Sequence, residues 1–225
     1  AIVDQVETPQ PGKLVKRGLT RIITPGTSLD GSQLQDKENS YLAAIDYSRR
    51  VFRASWLDLT TGEFLIAASE NPEELLPVLA SIGPREVLLS ESFSVDALAE
   101  DHPSVAKSLD WLIQELPVSR LEDYHFEQSS GAALVQETLG VLNLQGFGIS
   151  KDHAALGCAA AIVNYAEQTL RASPGNLSRI REYSPSQALV MDPSTVRSLE
   201  IFRGADHTRK GSLMDAMDTT VTAAG

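Results

Sequence analysis

The chain has 225 residues, 42% of them hydrophobic, and a formal net charge of -11. That is enough for one large domain or one and a half ordinary ones, and the acidity argues against non-specific binding to phosphate backbones, which depends on Lys and Arg. A single cysteine, Cys158, excludes an intramolecular disulfide and points to a reducing, cytoplasmic setting; the longest apolar run, residues 154–163, is too short and too Ala-rich to span a bilayer.

The opening IVDQV reads as a strand, and Asp4 and Glu7 break this early apolar stretch, so no secretory leader is expected in it. Glu7 to Gly12 is a linker by composition. Lys13, Lys16, Arg17 and Arg21 form a basic cluster, read as a solvated strand edge in preference to a DNA contact. Residues 19–24 read as a strand, Pro25-Gly26 as a type II turn with Gly at positive φ, and residues 28–40 as a mobile polar loop.

Residues 41–69, YLAAIDYSRRVFRASWLDLTTGEFLIAAS, are the organising stretch: three strands, 41–48, 51–58 and 63–69, joined by two tight turns. Gly62 stands where a hairpin loop often needs positive φ. In the middle strand Phe52, Ala54 and Trp56 point one way, and Arg53 and Ser55 the other, towards a wetter face. The first strand is almost wholly apolar up to Asp46, which places it inside the sheet.

Asn71-Pro72-Glu73-Glu74 starts a helix towards Ile82 that Pro77 should kink and Gly83-Pro84 should stop. Residues 86–90 read as a buried strand, 95–100 as a short helix, and 108–116 as a strand with Trp111 and Ile113 on one side. Ser129 or Ser130 caps a helix to about Leu142, with Val135, Leu139 and Leu142 on its core face. Asp152 caps a long helix to about Ala172, in which Ala155, Cys158, Ile162 and Ala166 form a buried seam. Residues 177–183 and 188–191 are extended. Asp192 caps a helix to about Arg203 carrying Leu199 and Ile201, residues 204–211 form a polar loop, and 212–217 form a short helix. Three antiparallel strands followed by alternating helices and strands give an α/β, ribonuclease-H-like mixed sheet, followed by the helical start of a second domain. The lack of an initiator Met and the abrupt ending after Gly225 suggest a piece of a longer protein.

Such a fold invites one enzymatic reading, a metal-dependent nuclease with clustered carboxylates. Two-metal sites hold their ions only about 4 Å apart. A tight turn after Ser48 pairs Asp46 with Phe52 or Arg53, which leaves Asp58 roughly 15–20 Å away along the strands. Asp58 and Glu63 flank one turn, where such a pair is usually solvated. His102, His125, His153 and His207 are scattered, with no Cys/His cluster at metal-ligand spacing, and Cys158 reads as core filler. No G-x-x-x-x-G-K-[ST] or G-x-G-x-x-G occurs, and Gly146-Phe147-Gly148 reads as a turn.

Several ordered stretches resemble the bacterial mismatch-repair family MutS. They are Asp4 to Glu7, Val15-Lys16-Arg17, Arg21-Ile22-Ile23-Thr24-Pro25-Gly26-Thr27, Tyr41 to Ile45, Leu57 to Phe64, Gly146-Phe147-Gly148, Ala166 to Thr169, Met191 to Glu200, Gly211 to Met214 and Met217 to Thr222. Ser198 departs from the Asn that is common there. The resemblance implies that residues 1–25 are the tail of a mismatch-binding domain and a linker, 26–176 a connector domain, and 177–225 the start of the core (lever) domain. It implies a homodimeric ATPase, using ATP and magnesium, that binds mismatched DNA through regions outside this chain. The chain itself is then a non-catalytic relay, with no cofactor of its own, that docks MutL. The resemblance supplies that partner; the helix pattern supplies a candidate surface, the outward strip Ala133, Gln136, Glu137 and Gly140. An independent ribonuclease-H-like nuclease is the alternative.

Overall fold

The computed structural model describes residues 1–5, 15, 17–27, 39–184, 191, 193–206 and 208–220. Lys13, Lys16, the loop 28–38, the extended stretch up to residue 190, Asp192 and His207 lie outside the described residues. Strands β1 (Ile2–Gln5) and β2 (Arg17–Arg21) pair as an antiparallel ribbon. The turn at 24–27 follows, closed by the Thr27 N–H on the Thr24 carbonyl at 3.2 Å. Gly26 does not take positive φ, so this is not the expected type II turn. Space is what requires glycine here: an added Cβ would lie 2.8 Å from Leu42 Cδ1 and 2.9 Å from Glu86 Cβ.

The meander has the expected bounds: β3 (Tyr41–Ser48), β4 (Val51–Asp58) and β5 (Glu63–Ser69), each antiparallel to the next. Gly62 takes φ 74°, as a hairpin loop there needs. Asn71 caps a 3-10 turn, Pro72–Glu74, and α1 (Leu76–Ile82) begins only after it. Pro77 therefore does not kink a helix. It sits in the first turn of α1, where its missing N–H costs nothing, and Gly83 ends the helix in the left-handed region. Next come β6 (Glu86–Ser90), α2 (Val95–Asp101) and α3 (Pro103–Glu115).

The stretch 108–116 is thus helical and not a strand. The 111/113 alternation that suggested a strand is coincidental; Val105, Leu109 and Leu112 are buried at helical spacing, behind Pro103 in the first turn. The strand of this region is β7 (Val118–Leu121). A 3-10 turn, Asp123–Phe126, leads into α4 (Gln128–Leu139). Then follow α5 (Leu156–Leu170), the two-residue β8 (Arg181–Glu182), α6 (Pro193–Ser198) and α7 (Leu213–Met217), the last capped by Ser212. Asp152 does not cap α5, because residues 151–155 form turns and Ala155 holds the N-cap position. Extended structure in 177–183 is limited to β8. Helix α6 stops at Ser198, short of Arg203; Glu200 takes φ 50° and Leu199 is exposed.

The second sheet has the order β7-β6-β3-β4-β5-β8. Strand β4 runs antiparallel to its neighbours, and β6, β7 and β8 pair parallel to theirs. A three-stranded meander extended on its first strand by two parallel strands is the ribonuclease-H-like arrangement. Helices cover both faces. Leu42, Ala44, Leu57, Ile66 and Leu88 pack under α4 and α5. Ala43, Ile45, Phe52, Trp56, Val87 and Leu89 pack under α1, α2 and α3. The central β3 is buried on both faces for five residues, as its sequence requires. The Arg53/Ser55 face of β4 is not the wetter one. Ser55 is buried under the α5 layer, which its small hydroxyl tolerates by donating to the Leu65 carbonyl at 2.8 Å.

Candidate partner-binding face

Two glycines let α4 and the 3-10 turn before it lie close against α5. A Cβ on Gly131 would sit 2.7 Å from the Leu156 carbonyl oxygen, and one on Gly157 would overlap the backbone of Phe126. Ala132, Val135 and Leu139 are buried in this contact. Helix α4 starts at Gln128 behind Glu127, not at a capping serine; Ser129 and Ser130 lie within its first turn. It ends at Gly140, φ 66°, whose N–H donates to the Glu137 carbonyl while the Val141 N–H donates to that of Gln136. Leu142 therefore falls beyond the helix. It is 98% exposed and not part of the core face.

This packing leaves Ala133, Glu137 and Gly140 exposed and Gln136 half-buried, in one strip with a single carboxylate. At the N-terminal end of α4, Tyr124 is 57% exposed, stacked on the buried His125 with ring centroids 4.1 Å apart. The strip is therefore flanked in the chain by an exposed aromatic, which the sequence pattern did not single out, and by an exposed leucine, which it assigned to the core face.

Under α4, the expected seam of Ala155, Cys158, Ile162 and Ala166 is buried. Burial pushes the Cys158 thiol well up; the nearby Asp46 charge adds to the rise and Arg53 opposes it. A thiol so placed is a packing element and a poor nucleophile.

The two candidate metal carboxylates are kept apart. Asp46 lies opposite Arg53, and Asp58 opposite Tyr41, five residues further down β3. At strand rise that is roughly 17 Å, and side-chain alternation places the two on opposite sheet faces. Asp46 receives the Arg53 guanidinium at 2.8 Å, and that group also donates to the Ser48 carbonyl and hydroxyl. Asp58 is fully buried and organises the β4–β5 turn. It accepts from the Thr60 N–H at 2.7 Å, the Thr60 hydroxyl at 2.6 Å, the Thr61 N–H at 3.3 Å and the Ser40 N–H at 3.3 Å. Glu63, across that turn, is half-buried and paired; it accepts from the Tyr41 hydroxyl at 2.5 Å and from Arg181 at 2.8 Å. Burial first, and the Glu63 hydrogen bond second, push the Tyr41 phenol up. His153 pairs with Glu182 at 3.2 Å, and among the described residues no three His, Cys, Asp or Glu side chains gather at metal-binding distance. Nor is any described helix long and apolar enough to cross a membrane.

Residues 40–181 match the family model for MutS domain II. The chain belongs to the MutS family. It is 39% identical over 230 residues to the DNA mismatch repair protein MutS of Symbiobacterium thermophilum, an alignment covering all of this chain and 25% of that protein. It is 36% identical to MutS of Protochlamydia amoebophila, with 100% and 26% covered, and 37% identical to MutS of Syntrophobacter fumaroxidans, with 100% and 25% covered. The chain thus spans about a quarter of the length of the curated MutS relatives it matches. Among solved structures, T. thermophilus RuvC in complex with a Holliday junction substrate aligns with 17% identity and a TM-score of 0.36, covering 58% of this chain and 97% of that one. The MutS domain II match places α4, α5 and the whole six-stranded sheet up to Arg181 within one family unit.

Proposed function

We propose that this chain is the connector part of a MutS-type mismatch repair protein, that it relays mismatch and nucleotide state between domains, and that it docks MutL on the solvent face of α4. The family match over residues 40–181 carries this reading. The chain performs no catalysis of its own. ATP, magnesium, mismatched DNA and the homodimer contact engage the remaining three-quarters of the parent protein. Leu177 and Ile180 are buried in the α5-side core and β8 pairs with β5, which supports carrying the connector from the expected end at residue 176 on to Glu182, with the core domain beyond it.

Ala133, Gln136, Glu137 and Gly140 offer small or polar side chains that let a partner approach closely, and Tyr124 and Leu142 supply apolar anchors at the two ends. A transient signalling contact needs only a modest patch with a few such anchors. The test introduces Ala133→Arg with Gln136→Glu into the parent protein and measures MutL recruitment on mismatched DNA. Recruitment should fall at least several-fold, with mismatch binding and ATP hydrolysis unchanged. Recruitment at the unmodified level would exclude this face.

A further inference from the structure

Glu86, the first residue of β6, is 2% exposed, and no ion pair involving it occurs among the described residues. Its carboxylate is satisfied by neutral donors from three separate parts of the fold. Oε2 accepts from the Gly26 N–H at 2.9 Å; Oε1 accepts from the Tyr165 hydroxyl of α5 at 2.6 Å and the Ser119 hydroxyl of β7 at 2.8 Å. The Gly26 N–H can only donate, so this position needs an acceptor facing it. A leucine would leave the Gly26 N–H with no acceptor, whereas a glutamine would keep a carbonyl oxygen for it and could donate its N–H2 to the two hydroxyls. An uncompensated buried carboxylate is expensive, so the three bonds are obligatory.

The same carboxylate seats the segment that enters the domain. Residues 22–27 lie along α5 and β6. The Ile22 N–H donates to the Thr169 carbonyl at 2.8 Å, the Thr24 and Thr27 hydroxyls meet at 2.8 Å, and Thr24 also reaches Tyr165. The Arg21 guanidinium donates to the Thr27 carbonyl at 3.3 Å, and Thr27 is fully buried. Gly26 fits against Glu86 only because it lacks a Cβ, which would lie 3.0 Å or less from three atoms of Leu42 and Glu86.

We infer that Glu86 is the anchor of a fixed joint: it locks residues 22–27 onto α5 and β6, so that the β1–β2 ribbon enters the connector at a set angle and moves with it. This goes beyond the docking reading and stands on the chain's own contacts. A displacement of the preceding part of the chain is then passed to β6 and α5 instead of being absorbed in a slack linker. The sequence alone marks 22–27 as strand and turn; it gives no sign that a carboxylate sixty residues away holds them.

Hydrogen–deuterium exchange on this 225-residue chain tests the joint. In Glu86→Leu and in Gly26→Ala, amides in residues 20–27 should exchange about tenfold faster or more, as expected when a buried donor loses its acceptor or its seat. Amides of β3, β4 and β5 should keep their protection. Unchanged exchange in 20–27 would overturn the joint. So would a loss spread equally over β3–β5 in both variants, since Glu86 would then be a general stability residue. MutL recruitment plays no part in this measurement, so it can fail independently of the docking proposal.

Discussion

Arg53 does two jobs with one guanidinium. It neutralises Asp46 at the end of the central strand and ties down the Ser48 end of the β3–β4 turn. The pair is largely desolvated, with side chains 13% and 21% exposed, so its value lies less in net attraction than in the cost of separating it. Arg53→Met would leave Asp46 with only the Ser48 hydroxyl as partner among the described residues, and should destabilise the chain by about 2 kcal/mol, less than the 3–5 kcal/mol of a fully buried pair. The double variant Asp46→Asn, Arg53→Met should recover at least half of that loss. Urea denaturation of the four proteins of this cycle checks it; a double variant no more stable than Arg53→Met would show that packing of the arginine stem matters and charge does not. Asp58 makes a related point. A carboxylate on this sheet is employed in holding backbone N–H groups in a turn, which the bare residue type cannot announce.

At the scale of elements, the β3–β4 turn carries an avoidable strain. Arg49 and Arg50 take φ of 51° and 63°, a left-handed pair for which Asn-Gly is the usual choice. Arg50 has a reason to stay, since it chelates Asp101 at 2.6 and 3.2 Å, beside the Tyr47 hydroxyl at 3.0 Å. Arg49 has no such contact among the described residues. Arg49→Asn should therefore raise stability by about 0.5–1 kcal/mol, read as a higher urea midpoint at unchanged slope. A lower midpoint would show that Arg49 makes a contact worth more than the strain. The bounds of these three strands were legible in the sequence because runs of β-branched, aromatic and small apolar residues stopped at turn residues there. Legibility failed where one signal stood alone. Trp111 and Ile113 mimicked a strand inside α3, although Trp111 is 63% exposed. The four residues of β7 were too few to show a period. Leu142 continued the α4 pattern on paper, but Gly140 had already turned the chain. For the candidate face, helical spacing correctly sorted Ala133, Glu137 and Gly140 from Val135 and Leu139. It could not reveal Tyr124 and Leu142, whose exposure depends on where neighbouring elements end.

The whole molecule has two apolar layers that share a single sheet, so neither is independent of the other. Ile162 belongs to one layer and Trp56 to the other, and both are buried. Ile162→Asp places an unpaired charge beneath α4, at a cost of several kcal/mol, comparable to the 5–15 kcal/mol stability of an ordinary domain. Trp56 should then report the loss, its emission moving to that of a solvated indole although the change lies on the far face of the sheet. Native-like Trp56 emission in this variant would show that the α4–α5 layer can melt alone.

Strand β8 is the smallest part of that sheet and the last described place where the chain is stitched to it. Arg181 and Glu182 pair with Leu65 and Ile66, helped by the Arg181–Glu63 ion pair, the His153–Glu182 contact, the Tyr183 N–H on the Ile66 carbonyl at 2.8 Å and the edge-on contact of Tyr183 with Trp56. Within the sheet, tension applied from the C-terminal side is borne by these few bonds before it reaches the β4–β5 and β3–β4 pairings, which run over seven and eight residue pairs. Strand β8 is therefore a mechanical fuse: a pull strong enough to part it lengthens the tether by a few residues and leaves the five strands behind it intact.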